Sequence, residues 1–329
     1  MGDGVREWLV AADDRTGAFE VAALFAQVVG PVTVTVGAAP DGSGVVDLGS
    51  RALVATEAAR VAAAIDATPS TWVAHKMDST LRGNWAAELR SRQRATRRRV
   101  VVLPGWPELG RTCVGGVVLV NGVAVGNVLE HLADADSLAD AAAVHRWLEG
   151  DAAIAICDIP DTEAMHVAAQ VLAGHDVLIA GPAGPLGAVF AASHRASTSA
   201  SPAAIAGPVL VVCGSANPVA HDQLNRLRAA RPDVEVVATD VPDGDLHARA
   251  VEALTVRARP LMEQSRTVVI IGGDTVAALL GDTLRLIDGF AAAGMPFIRP
   301  QRDGPLVITK AGGFGGPNAL VDLLGGENG

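Results

Sequence analysis

Two short polar segments, each directly after an apolar run, hold most of the side chains able to do chemistry. The first is Ala12-Asp13-Asp14-Arg15-Thr16-Gly17-Ala18. Adjacent carboxylates there can accept hydrogen bonds from neighbouring hydroxyls, or one can take a proton. Open α/β sheets bind ligands just past the carboxyl ends of their strands. Asp14 or Thr16 could equally do no more than cap the next helix, although a cap has no use for the second Asp. The second segment is His75-Lys76-Met77-Asp78-Ser79-Thr80-Leu81-Arg82-Gly83-Asn84. Its lysine supplies a point charge and its arginine a fork, a pair suited to a carboxylate or a phosphate. An ordinary polar loop with Ser79 or Thr80 as a helix cap is the alternative, and it leaves Lys, Asp and Arg together unexplained.

Three glycine-rich turns follow later: Cys213-Gly214-Ser215-Ala216-Asn217, Ile271-Gly272-Gly273-Asp274-Thr275 and Lys310-Ala311-Gly312-Gly313-Phe314-Gly315-Gly316. Glycine lets backbone N–H groups approach phosphate oxygens, and the helix N-termini that follow add a favourable dipole. One such turn says little; three at strand ends make a phosphate site. There is no G-x-x-x-x-G-K-[ST], no G-x-G-x-x-G after the first strand, no H-E-x-x-H and no G-x-S-x-G. P-loop, dinucleotide-binding, zinc-hydrolase and serine-hydrolase readings are therefore disfavoured. The arginines between Arg90 and Arg99 read as a solvated helix end.

Short β-branched runs alternate with Ala-rich helical patterns, which is the signature of βαβ units. Strands are expected at 8–12, 32–36, 72–76, 100–103, 154–157, 177–180, 209–213, 234–238, 268–271 and 306–310. Helices are expected at 18–28, 57–67, 85–96, 218–230, 245–263 and 275–286. A hairpin is expected around Asn121-Gly122. The aperiodic Ala/Ser/Thr/Pro/Gly stretch at 191–208 reads as a linker, and the glycine-rich end from Gly325 as frayed. The expected fold is α/β: two three-layer domains, 1–200 and 201–329, with largely parallel sheets and a site in the cleft between them.

Bulk composition agrees. The chain has 329 residues, half of them apolar, with six Phe, five Trp and no Tyr, so Ala, Val and Leu must fill the cores. A net charge of −10 argues against a nucleic-acid partner. Cys113, Cys157 and Cys213 lie far apart without CxxC spacing and read as reduced core thiols. Residues 1–7 lack a basic-then-apolar leader, and no apolar stretch approaches the ~18 residues of a membrane span. A cytoplasmic protein without a membrane partner is expected.

The motifs resemble those of the four-carbon acid sugar kinase family. Residues 12–18 are similar to its A-D-D-L-T-G-A opening, and 76–84 to its K-x-D-S-T-L-R-G-N signature. Gly110-Arg111-Thr112 with Gly115-Gly116 resembles its G-R-T-T-V-x-G, and the three glycine turns resemble its C-terminal motifs. The resemblance runs from about residue 8 to 318. It implies an N-terminal sugar-acid domain, a C-terminal nucleotide domain, and ATP with Mg²⁺ phosphorylating the terminal hydroxyl of a threonate-, erythronate- or 3-oxo-tetronate-type acid. It assigns Asp13, Asp14, Arg51, Lys76, Asp78, Ser79 and Arg82 to substrate; among them the expected catalytic residues are Asp14 or Asp78 as proton acceptor and Arg82 as a holder of the carboxylate or the transferring phosphoryl. Ser215, Gly272, Gly273, Asp274, Thr275, Gly312 and Gly313 fall to ATP. No side chain is expected to serve as a metal ligand; the partners are a sugar acid and ATP, with a homodimer as the admissible assembly. Departures are Arg15 for the usual Leu, Gly181-Pro182-Ala183-Gly184 for G-S-A-G, and a shortened stretch between 125 and 152. They leave two alternatives: a non-catalytic binding or regulatory member, or a kinase for another hydroxy acid.

Overall fold

The computed structural model describes residues 6–196, 203–239, 245–299 and 304–325. In chain order the first strands are β1 (Arg6–Ala12), β2 (Val32–Val36), β3 (Gly44–Asp47), β4 (Ser70–Lys76) and β5 (Arg99–Val102). Next come β6 (Arg111–Val114), β7 (Val117–Val120), β8 (Val123–Asn127), β9 (Asp136–Leu138), β10 (Ile154–Cys157) and β11 (Val177–Gly181). The later strands are β12 (Val209–Cys213), β13 (Glu235–Ala238), β14 (Thr267–Ile271), β15 (Arg285–Ala292), β16 (Met295–Ile298) and β17 (Leu306–Lys310). The fold is α/β with a largely parallel sheet, as expected. Fourteen of these strands form one sheet, in the order β13-β12-β14-β17-β16-β15-β2-β3-β1-β4-β11-β5-β10-β9. The two expected sheets are thus joined edge to edge, where β15 pairs antiparallel with β2 through Arg285–Val34 and Ile287–Val32.

That joint decides where the site can be. β17, β16, β15 and β2 are successively antiparallel, so the early and late parallel sets run in opposite directions. In a flat sheet their carboxyl ends would lie at opposite edges. Six pairings separate β1 from β14, and at roughly 20–25° of twist per pairing they rotate one set by about 120–150° against the other. Register shifts within β15, at Ile287/Gly289 and Phe290/Ala292, add local bending of the kind bulges produce. Both sets of strand ends therefore open toward the same space. The helix Arg15–Val29 fills the angle: Val21 and Phe25 belong to one buried apolar cluster with Ile287, Ile298 and Val307.

Most expected elements fall in place, and the differences have causes. The helix expected at 275–286 covers only Gly273–Leu280, because Gly281 turns the chain at φ 61° and Arg285 starts β15. β3, β9, β15 and β16 are additional to the expected strands. The hairpin gains a third strand, forming the separate sheet β6-β7-β8, and its Asn121-Gly122 turn has both φ positive, at 49° and 82°, as a type I′ turn requires.

The arginine run is a solvated helix end only at Arg94 and Arg97, which are exposed. Arg92 is fully buried, holding Asp66 at 2.9 Å, Arg99 stacks on Trp147 with its guanidinium carbon 3.9 Å from the ring centroid, and Arg98 pairs with Asp176. These residues pin the helix Trp85–Thr96 and β5 to their neighbours. The three cysteines are buried and unpaired, and burial pushes the Cys113 and Cys157 thiols up to about 12. Part of the expected linker, 197–202, and the end of the expected frayed tail, 326–329, lie outside the described residues. Among the described residues no helix is long and apolar enough to cross a membrane.

Candidate active site

One cleft of about 870 Å³ is lined by all fourteen of the expected site residues. Asp13, Asp14, Arg51, Lys76, Asp78, Ser79 and Arg82 come from the ends of β1, β3 and β4; Ser215, Gly272, Gly273, Asp274, Thr275, Gly312 and Gly313 come from the ends of β12, β14 and β17. The two groups approach each other at Gly273. A β-carbon built there would lie 3.8 Å from Thr16 Oγ1 and 3.9 Å from Asp14 Oδ2.

On the early-strand side, a cluster of three carboxylates and two guanidinium groups fixes itself. Arg51 Nε donates to Asp13 Oδ2 and its Nη1 to Asp14 Oδ2, both at 2.8 Å, and Nη2 lies 3.4 Å from Asp78 Oδ1. Arg82 grips Asp78 with two nitrogens, at 3.0 and 2.7 Å. Asp14 caps the helix Arg15–Val29 by accepting from Gly17 N at 2.9 Å, and it also accepts from Thr16 Oγ1 at 2.8 Å. Capping and site membership are thus both true of Asp14. Ser79 and Thr80 do not cap the helix Trp85–Thr96, whose cap residue is Asn84; Thr80 instead closes a turn onto Asp78.

Environment separates the three acids. Burial pushes the Asp13 carboxyl up against the pull of Arg51. Burial alone would also raise Asp78, but its bonds to Arg82 and Thr80 and the charge of Arg51 hold it well below the usual carboxylate range. Asp13 and Asp78 side chains are 0% and 8% exposed, against 20% for Asp14. Of these three, Asp14 offers the largest carboxylate face to the cleft.

On the late-strand side the turns pack back to back. A β-carbon at Gly312 would lie 1.9 Å from Ser215 Oγ, and one at Gly214 would lie 2.3 Å from Thr275 Oγ1. Side chains are excluded there, which leaves backbone N–H groups to face a ligand. Thr275 Oγ1 is buried and has no hydrogen-bond partner, an orphan that a bound oxygen would satisfy.

The cleft holds further polar residues outside the expected set. Lys310 is 1% exposed, donates to Ala311 O at 3.0 Å, and is pulled down by burial to about 8. Arg111 Nε donates to Ser79 Oγ at 2.8 Å. Glu20 lines the wall, and burial raises its carboxyl against the opposing charges of Lys76 and Arg111. Glu20 was visible as a lone acid in the apolar run Ala18-Phe19-Glu20-Val21-Ala22; Arg111 and Lys310 stood inside recognised motifs without a role. Arg15 reaches across the cleft, from Asp47 Oδ2 at 2.6 Å to Gly281 O at 2.7 Å. In the altered glycine motif, a β-carbon at Gly184 would strike the Trp106 indole at 2.3 Å, so glycine is needed at that place.

Comparison with known proteins agrees with this geometry. Residues 8–129 match the family model of a sugar-binding N-terminal domain. A D-threonate kinase of Cupriavidus necator is 37% identical over 127 residues, which are 35% of this chain and 30% of that protein. The chain thus matches less than a third of the length of that curated relative. A Salmonella typhimurium protein shares the fold over 96% of this chain and 98% of its own, with a TM-score of 0.75 at 19% identity. A Bordetella bronchiseptica domain of unknown function, crystallised with citrate as a domain-swapped dimer, superposes over 97% of both chains with a TM-score of 0.50 at 25% identity. Over residues 8–129 the chain is therefore similar to a sugar-binding N-terminal domain, and over much the same length to two proteins named D-threonate kinase.

Proposed function

We propose that the protein is an ATP-dependent kinase acting on the terminal hydroxyl of a four-carbon sugar acid, of threonate, erythronate or 3-oxo-tetronate type. Residues 1–200 bind the acid and 201–329 the nucleotide. The observation that carries this reading is the meeting of the Gly273 turn with Asp14 and Thr16 across the cleft, within 4 Å of a β-carbon at Gly273. A phosphoryl held by the glycine turns then faces a hydroxyl held by the carboxylate cluster. Phosphoryl transfer is mostly a matter of positioning and charge stabilisation.

In this reading Asp14, the exposed member of the cluster, accepts the proton of the attacking hydroxyl. Asp13 and Asp78 hold Arg51 and Arg82 in place and bind hydroxyls through those guanidinium groups. The turns 214–217, 272–275 and 312–313 donate backbone N–H groups to the phosphates, and the Thr275 hydroxyl gains the partner it lacks. Among the described residues no group of three or more His, Cys, Asp or Glu forms a metal cage. That fits Mg²⁺, which binds through one or two carboxylates plus phosphates and water. Asp274, 83% exposed in the first helical turn after the Gly272-Gly273 pair, is the carboxylate placed to hold it. When bound, the ion neutralises phosphate charge. The citrate of the Bordetella protein supports a hydroxy-acid ligand, and its dimer supports a homodimer; ATP supply puts the reaction in the cytoplasm.

The test is ADP release with ATP-Mg and a panel of four- and five-carbon aldonates. The expected result is turnover that depends on a four-carbon acid and is lost in Asp14→Asn. Binding of both ligands without turnover would instead mark a non-catalytic member, and turnover only with another hydroxy acid would replace the substrate.

A further inference from the structure

Within the proposed sugar-acid pocket, we infer that Arg111 is the group that reads the substrate carboxylate, while Arg51 and Arg82 are spent on the protein's own acids. The inference rests on the kinase reading for the identity of the ligand, and on charge pairing for the residue.

The cations of the cleft differ in what already holds them. Arg51 touches Asp13, Asp14 and Asp78. Arg82 makes a two-pronged bond with Asp78. Two guanidinium charges against three carboxylates leave no surplus of positive charge, so this cluster suits hydroxyls and repels an incoming carboxylate. Arg15 is likewise occupied by Asp47 and the Gly281 carbonyl.

Arg111 and Lys76 are different. Among the described residues neither takes part in an ion pair at 4.0 Å or less. Lys76 is 5% exposed and donates to the Met77 carbonyl at 3.0 Å. Arg111 donates to Ser79 Oγ at 2.8 Å and to Leu109 O at 2.7 Å. These neutral acceptors aim the cation without cancelling it. Its backbone is fixed as firmly: Trp106 N bonds Arg111 O at 2.7 Å, and Arg111 N bonds Trp106 O at 3.1 Å. Lys76 stands among acids: a β-carbon at Gly17 would lie 2.9 Å from its Nζ and 2.7 Å from Asp14 Oδ1, and its charge acts on Asp13 and Glu20. Arg111 shares only Glu20 with it, which leaves Arg111 as the cation for an incoming anion. The pocket therefore has a hydroxyl-binding acidic end at Asp14 and a cationic end at Arg111, which is the polarity of a polyhydroxy acid.

Titration calorimetry of threonate and of its neutral amide, without ATP, tests the assignment. Wild type should prefer the acid. A charge-assisted hydrogen bond of about 1.5–3 kcal/mol corresponds to roughly a tenfold to hundredfold weakening. Arg111→Met should lose that much affinity for threonate and little for threonamide, with ATP affinity unchanged. Arg111→Lys keeps the charge but not the fork, and should lower the acid-to-amide ratio several-fold. A ratio unchanged in Arg111→Lys, equal losses on acid and amide, or loss of the preference in Arg82→Met instead of Arg111→Met would each overturn the inference. Wild type that binds threonate over threonamide through Arg111 but transfers no phosphoryl defeats the kinase reading and leaves this assignment standing. Wild type that binds neither defeats both.

Discussion

Asp14 and Asp78 sit in neighbouring loops and do opposite work because their partners differ. Asp78 is saturated by Arg82 and Thr80, and its carboxyl is held far below the usual range. Its native form therefore stays ionised at pH values where the unfolded chain, at about 3.9, takes up a proton. The stability it supplies is complete above about pH 5 and drains away as pH falls toward the depressed value. Urea melts of wild type and Asp78→Asn should accordingly differ most near neutrality and converge in acid. A gap that widens on acidification would refute the sign. Asp14→Asn should leave nucleotide affinity intact and lower kcat by about 10²–10⁴, the usual contribution of a positioned base.

Lys310 makes a third prediction at this scale. Burial holds it at about 8 in the free protein, and phosphate would restore its charge. ATP binding at pH 8 should then take up roughly half a proton, read by calorimetry in buffers of different ionisation enthalpy, and Lys310→Met should abolish the uptake.

Turns and strands set what the residues can reach. The β-carbon of Gly273→Ala would meet only ordinary van der Waals neighbours, the nearest 3.7 Å away. It stands at the start of a helix, where Ala is at least as favourable as Gly. The variant should melt like wild type yet lose turnover, because the methyl group occupies the gap facing Asp14. Gly312→Ala should behave differently, losing stability as well, since its β-carbon would lie 1.9 Å from Ser215 Oγ.

The glycine turns were legible in the sequence because each ends a β-branched run. The acidic and Lys/Arg loops were legible for the same reason. β15 and β16 were not, because Arg285–Ile298 mixes Ala, Gly and Pro and has no clean alternation. Its strand character comes from pairing between β2 and β17, which is information held by the rest of the chain. Arg111 was legible as a motif member only; what gives it a role is that its neighbours are neutral, and no spacing rule reports that.

At the scale of the whole molecule, the cleft exists because opposed strand sets are twisted into register across β15 and β2, and Arg15 ties the two sides. Arg15 and Asp47 are 6% and 4% exposed in their side chains. Removing one member of such a buried pair costs about 3–5 kcal/mol. Arg15→Leu, which places the leucine of the A-D-D-L-T-G-A motif that residues 12–18 resemble, should therefore destabilise the protein in chemical denaturation, and adding Asp47→Asn should recover much of the loss. Asp282→Ala, at an 84% exposed partner, should change stability by no more than about 1 kcal/mol.

The central claim is that nucleotide and sugar acid share this one cleft in reacting order. A crystal structure with a non-hydrolysable ATP analogue and threonate tests it most directly. The account predicts the γ-phosphorus and the terminal hydroxyl oxygen on either side of the Gly273–Asp14 gap, about 3–3.5 Å apart. Ligands at separate ends of the cleft, or a carboxylate rather than a hydroxyl turned toward the phosphate, would contradict it.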